Sequence, residues 1–484
     1  MVATTDGSDV GVFYSELLDR LPLAQSVLLL FSHVLGEQSL DQMYDEHRGR
    51  CYKRELTFAE VVYLVRDALI EHGGSGRASF VAAQEQQRLS SSVRAVYGKL
   101  SRMPLAVSMA LLREPTSRLQ EVLPGSPNIR PAVALPASLA GFTVIVVDGK
   151  TLKHVERRLK CLRNRRGRIN SGKLLVALSL DSGLALAMNA SANSEANDVS
   201  LVEGMLPQLG VAKAGEVRLY MGDRQFCDLP RLASSFVAGG HHFLVRHNAN
   251  IHFHPDRARP QRDGKDDQGR RYIQQWGWLG AENHPLRRYV RKITLYRPGD
   301  PDVSVVTDLL DEQAYPAQEL LEVYLARWGI ERVFQQVTEV FDLKNLIGGQ
   351  PRATIFQASF CLLLYNLIQV VKAYVAQAGA RTVEEVSTEN LFADCTAQLV
   401  TWATAGDPEA VVQAFTPAPS TGQVKRRLRQ LLGNLWHDHW LKSPPQKTHR
   451  KTKTTIYPSK GYTNVWKVLQ VQQSHRNGLV RQHL

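Results

Sequence analysis

The sequence predicts an α/β protein, with a mixed β-sheet between a helical N-terminal region and a helical, basic C-terminal one. Three observations lead there. Residues 142–147 run Phe-Thr-Val-Ile-Val-Val, an unbroken β-branched stretch of the kind that forms a strand buried on both faces. Shorter apolar runs at 173–180, 184–190, 216–221, 242–245 and 303–307 alternate with segments of helical spacing. Two of these strands end in isolated acids, Asp148 before Gly149 and Asp223 after Gly222.

Composition narrows the class of protein. A chain of 484 residues exceeds one ordinary core, so about two to four subdomains are expected. The 59 Lys+Arg outweigh 46 Asp+Glu and leave a net charge of +13, which favours a polyanionic partner. The five cysteines are scattered and form no CxxC pair, which argues against a disulfide framework or a cysteine zinc site and for a reducing, cytoplasmic setting. Residues 1–10 hold Asp6 and Asp9 with no basic or apolar run, so no signal peptide is expected. Residues 355–371 are strongly apolar but include Gln357, Asn366 and Gln369, and read as a buried helix rather than a membrane span.

In chain order, residues 12–140 read as helical, with periodic segments at 58–69 and 90–112 separated by Gly73-Gly74-Ser75-Gly76. Arg48, Arg50, Lys53 and Arg54 with Tyr44 and Tyr52 form a basic-aromatic cluster that is equally well a solvated helix end. After Asp148 comes a dense basic run: Lys150, Lys153, Arg157, Arg158, Lys160, Arg163, Arg165, Arg166 and Arg168. Helices are expected at 198–206, with Asp198 as its N-cap, and at 229–237. Residues 246–300 are polar and irregular, apart from an exposed strand at 288–296, and contain Trp276 and Trp278. A helix at 353–374 follows, and the tail is basic at 425–429 and 447–460.

The third acid comes from residues 317–335, which read as one helix entered after Pro316. At about 100° per residue, Arg327 lies about 40° and Tyr324 about 20° from Glu331 around its axis. Alone, this acid–arginine pair reads as a structural ion pair. With the strand-end acids it reads differently. Paired strands followed by helices, with acids at strand ends, give a ribonuclease-H-like mixed sheet on which Asp148, Asp223 and Glu331 can converge. Three such carboxylates repel unless cations bridge them. Oxygen-only ligation suits Mg²⁺ or Mn²⁺. Two ions about 4 Å apart would serve an in-line phosphoryl displacement on a phosphodiester.

Val-Val-Asp148-Gly-Lys-Thr, Gly-Asp223-Arg-Gln-Phe and Tyr324-x-x-Arg327-x-x-x-Glu331 resemble the DDE transposases of bacterial insertion sequences, in particular the group with a Tyr-Arg-Glu-Lys signature. The resemblance spans roughly residues 140–375. It implies that Asp148, Asp223 and Glu331 hold the metals and that Arg327 supported by Tyr324 contacts phosphate at the element's end. It also implies a β-rich insertion at 246–300, where Trp276 or Trp278 could stack on a flipped base; either is also an ordinary core tryptophan.

The corresponding expectations are a DNA-end-binding region at 1–140, a catalytic domain at 141–375 and a helical, basic region at 376–484. The partners would be terminal inverted repeats and target DNA, bound by a homodimer in a synaptic complex without a membrane, in a bacterial cytoplasm at the nucleoid. One departure stands out. The signature lysine falls on Thr338, and the next lysine, Lys344, points about 220° away from Glu331. By its position just past the first acid, the basic run is expected to track the DNA backbone, and Arg224 or this run to stand in for the missing signature lysine. A non-catalytic DNA-binding protein derived from a mobile element is the competing expectation, which the presence of all three acids disfavours.

Overall fold

The computed structural model describes residues 19–50, 55–124, 135–153, 155, 159–165, 167–212, 215–327, 329–341, 343, 345–405, 420–443 and 461–481. Among the described residues six helices precede the sheet: α1 (Pro22–Leu35), α2 (Glu37–His47), α3 (Phe58–Ile70), α4 (Gly76–Glu85), α5 (Val93–Arg102) and α6 (Leu105–Val122). Pro22 opens α1, where its missing N–H costs nothing, and Thr57 with Glu60 forms a capping box at α3.

The sheet follows: β1 (Phe142–Thr151), β2 (Arg168–Asn170), β3 (Lys173–Ser179), β4 (Ala185–Ser191), α7 (Asp198–Met205), β5 (Val217–Gly222) and β6 (His242–Arg246). Next are β7 (Phe253–Pro255), β8 (Arg262–Lys265), β9 (Arg271–Leu279), β10 (Arg288–Leu295) and β11 (Val303–Thr307). The remaining elements are α8 (Ala317–Ala326), α9 (Gly329–Glu339), α10 (Pro351–Ala378), α11 (Thr388–Ala405), α12 (Thr421–Leu432), β12 (Tyr462–Asn464) and α13 (Val465–Arg481).

The main sheet runs β4-β3-β1-β5-β6-β11-β10-β9-β7, with β8 on β9. Its first five strands pair antiparallel (β4-β3-β1) and then parallel (β1-β5-β6), the ribonuclease-H-like arrangement. The β-rich insertion extends this sheet rather than forming a separate one. Alternation along each strand divides its side chains between two cores. Val144, Val146, Leu219, Met221 and Leu244 face the large core built by the helices, whereas Ile145, Val147, Tyr220, Phe243 and Val245 face a smaller one under α7.

Helix α10 is the axis of the large core. It is long and apolar enough to cross a membrane, with a mean hydropathy of 1.6, but that window is wholly buried inside the protein. Its Asn366 bonds both backbone groups of Ala185 and the Thr116 hydroxyl, tying α10 to β4 and α6. Helices α11 and α12 pack back onto α1, so early and late helical segments share one core.

Several expectations change. The helix read over 317–335 is two helices, α8 and α9, parted at Arg327 where the backbone tightens to i→i+3 bonds (Arg327 N to Tyr324 O, Ile330 N to Arg327 O, both 3.1 Å). Strand β1 does not stop at Asp148 but runs on to Thr151, held by β3. Asn197, not Asp198, caps α7. The helix expected over 229–237 forms over 229–235, with Arg231–Ser235 of π type. The strand at 288–295 is interior rather than exposed, with Arg291 fully buried.

Candidate active site

Strand register brings the first two acids together. Val146 of β1 pairs with Met221 of β5 in parallel. Two residues on, Asp148 and Asp223 fall at the same level, just past the last paired residues. The same offset between β5 and β6, where Gly222 pairs with Val245, puts Arg246 level with Asp223. By alternation from Val146, Met221 and Leu244, all three point to the large-core face, where α8 and α9 pack.

Two glycines make the approach possible. A Cβ on Gly222 would lie 2.6 Å from the Phe226 ring, so the chain can turn sharply after β5. A Cβ on Gly149 would lie 2.2 Å from the Asp198 carboxyl, which pairs with Lys173 at 2.8 Å behind the sheet.

Each acid is held differently. Asp148 Oδ1 accepts from Gly149 N at 2.8 Å. Burial pushes its carboxyl up to about 6; the Gly149 bond and Arg327 pull it down, while Asp223 and Glu331 raise it. Asp223, Glu331 and Arg327 therefore lie within electrostatic reach of Asp148. Asp223 caps the short turn Arg224–Phe226, accepting from Gln225 N at 2.8 Å. Glu331 is half-exposed, 3.7 Å from Arg327, whose guanidinium is buried. Arg327 also sits 5.7 Å from the centre of the Tyr324 ring. Burial raises the Tyr324 hydroxyl, against Arg327 and Arg246. Arg246 escaped the sequence reading because only strand register reveals its level.

The face of α9 beyond Glu331 is short of positive charge. The Thr338 hydroxyl turns back to donate to Phe334 O at 2.6 Å. A cation comes instead from β1: the Lys150 ammonium lies 5.6 Å from the Phe334 ring. Burial and Lys153 lower its pKa, and Glu339 and Asp148 raise it. Arg224, Lys153, Arg163 and Arg165 are exposed. Arg157, Arg158, Arg166 and Lys344 lie outside the described residues.

The tryptophans are far from the carboxylates. Trp276 is 1% exposed, donates to Leu310 O and lies under Arg259, so it is a core residue and not a base-stacking one. The level of Asp223 and Arg246 continues through Val305 and Ile293 to Gln274 on β9. Trp278 is exposed and packed against Arg287 and Tyr289, but it stands four residues further along β9. It is also five strand spacings from β1, roughly 24 Å across the sheet. The expectation of a base-stacking tryptophan is thus corrected for Trp276, a core residue, while Trp278 keeps an exposed ring further along β9.

Asp148, Asp223 and Glu331 offer only oxygen donors, the set that suits a divalent cation, although the structure does not draw their carboxylate oxygens within 4.8 Å of one another. Among the described residues, one group of three brings its ligand atoms within 4.8 Å of one another and could hold a metal ion: Glu46, His47 and Glu114 in the helical region. There, however, Arg113 already donates to Glu114 at 2.7 Å, and His47 bonds Glu114 at 2.8 Å.

No curated protein matches the chain. Residues 140–367, from just before β1 into α10, match the family described as "Transposase DDE domain", so a DDE-transposase domain makes up about half of this chain.

Proposed function

We propose that the protein is the transposase of a bacterial insertion sequence, of the Tyr-Arg-Glu type, cutting DNA at the element's terminal inverted repeats and joining the freed 3′ ends to target DNA. The observation that supports this is the strand register that sets Asp148 level with Asp223 at the end of the sheet, with Glu331 and Arg327 within electrostatic reach of the buried Asp148 carboxyl. Asp148, Asp223 and Glu331 would hold Mg²⁺ or Mn²⁺, two ions in all, which when bound polarise the phosphodiester and lower the pKa of the attacking hydroxyl or water. Arg327, held under Tyr324, directs its guanidinium toward a non-bridging phosphate oxygen. Arg246 and Lys150 add positive charge beside the acids, and the exposed Arg224, Lys153, Arg163 and Arg165 add further charge for the DNA backbone. The working form would be a homodimer spanning two ends, at the nucleoid in the cytoplasm.

The test is cleavage of a duplex carrying the sequence that flanks the gene, in Mg²⁺ and in Mn²⁺. Asp148→Asn, Asp223→Asn and Glu331→Gln are each expected to lose several powers of ten in rate while keeping DNA binding. Substantial cleavage by any one of them removes that residue from the site. Binding without cleavage by the unmodified protein supports the non-catalytic reading instead.

A further inference from the structure

A large open cleft of about 2320 Å³ separates the N-terminal helices from the segment joining α9 to α10. Arg50, Arg77, Arg94 and Arg102 line it against one acid, Glu55. All four arginines are exposed. Lys99 also borders it but is engaged, donating to Leu56 O and lying 5.1 Å from the Tyr44 ring.

The backbone adds to this charge. Ser75, Ser92 and Gln350, the N-cap residues of α4, α5 and α10, all line the cleft. Each helix N-terminus carries about half a positive charge and free N–H donors. The two walls meet where Gly76 touches Ile347: a Cβ on Gly76 would lie 2.4 Å from Ile347 Cγ2. The core wall is fixed in turn, with Ser171 Oγ donating to Gly349 O at 3.1 Å and Ile347 N to Gln357 Oε1 at 2.8 Å. Leu159, in the basic stretch that follows Asp148, forms part of the rim.

We infer that this cleft is a second DNA site, a phosphodiester-backbone seat shared between the N-terminal helices and the core, which grips the duplex at a distance from the carboxylates. The inference rests on the DNA-cutting reading above. Guanidinium groups and helix N-termini both suit phosphate oxygens. Serine hydroxyls at Ser75, Ser91 and Ser92 supply neutral donors between them. A protein partner would call for accessible aromatic or aliphatic anchors at the centre of the patch, whereas Tyr44, Leu56, Met103 and Ile347 are buried in the large core here and the exposed lining side chains are, apart from Ala95, charged groups and serines.

The experiment compares the full chain with a variant in which Arg50, Arg77, Arg94 and Arg102 are all glutamine. The probe is a labelled duplex carrying the flanking sequence, titrated across a salt series. Each lost contact should make the slope of log K against log salt shallower by about 0.9, so about 3 to 4 in all. The four lysine replacements should restore most of the slope. An unchanged slope in a glutamine variant with wild-type circular dichroism and melting overturns the cleft site alone. Failure of the unmodified protein to bind duplex DNA, or a stronger hold on single-stranded RNA than on duplex, overturns it together with the transposase reading.

Discussion

Asp148 and Arg291 lie on the same face of one sheet, the first on β1 and the second on β10, and each brings a charge out of water. Arg291 is fully buried, and each of its three nitrogens donates: Nε (3.0 Å) and Nη2 to Gln274 Oε1, and Nη1 to Tyr315 O at 2.6 Å. Burial pushes it down to about 10, which still leaves it charged at neutral pH. Asp148 has one backbone donor; burial chiefly opposes its ionisation, Arg327 favours it, and Asp223 and Glu331 add to the opposition. A buried charge ringed by neutral acceptors holds loops in place. A buried charge crowded by its own sign is tolerated only where something arrives to neutralise it.

The largest effect should come from breaking the satisfied side. Arg291→Ala strands the Gln274 and Tyr315 acceptors and opens a cavity, and should cost about 3–5 kcal/mol in chemical denaturation. Arg291→Met, which fills the space, should recover much of that loss. Equal losses for both would mean that the charge, and not the packing, holds the 309–316 loop.

Gly149→Ala comes next. Its methyl meets the Asp198 carboxyl of the buried pair with Lys173, so overpacking of roughly 1–3 kcal/mol is expected, together with a displaced Asp148. A variant as stable and as active as the parent would show that Asp198 can move aside.

The smallest effects concern the positive charge near α9. Lys150→Ala should make the salt slope of DNA binding shallower by about 0.9, one contact's worth. Thr338→Lys should be tolerated and tighten binding slightly, since the hydroxyl it removes only bonds back to Phe334 O. A slope unmoved by Lys150→Ala would place its ammonium away from phosphate.

The sequence made the carboxylate end more legible than the insertion, and the reason is physical. Strands β1, β5, β6 and β11 are apolar because both their faces are covered, and α10 is apolar because helices surround it. Strand β9 was read as irregular because Gln274, Gln275 and Arg271 interrupt its apolar pattern. Gln274 is buried there as the acceptor for Arg291, a partnership across two strands that no local pattern reveals. The break at Arg327 was hidden because Tyr324, Arg327 and Glu331 keep helical spacing on both sides of it. The levels of Asp148, Asp223 and Arg246 depend on strand offsets, which sequence does not supply. The grouping of Glu46, His47 and Glu114 likewise joins α2 to α6 across a long separation in the chain.

The central claim is that Asp148 is destabilised so that a divalent cation can bind, and the direct measurement is folding stability between pH 4 and 8 for the parent and Asp148→Asn, with and without Mn²⁺. The folded-state pKa of about 6 lies above the reference 3.8. Between these values the folded protein holds a proton that the unfolded chain has released. Without cation, stability should therefore fall as pH rises through this window, by roughly 2–3 kcal/mol. Asp148→Asn should lack that fall and be the more stable protein at pH 7. Mn²⁺ should restore the parent at pH 7 and leave Asp148→Asn nearly unchanged. A parent whose stability is flat across the window, or whose response to Mn²⁺ matches that of Asp148→Asn, would contradict the account.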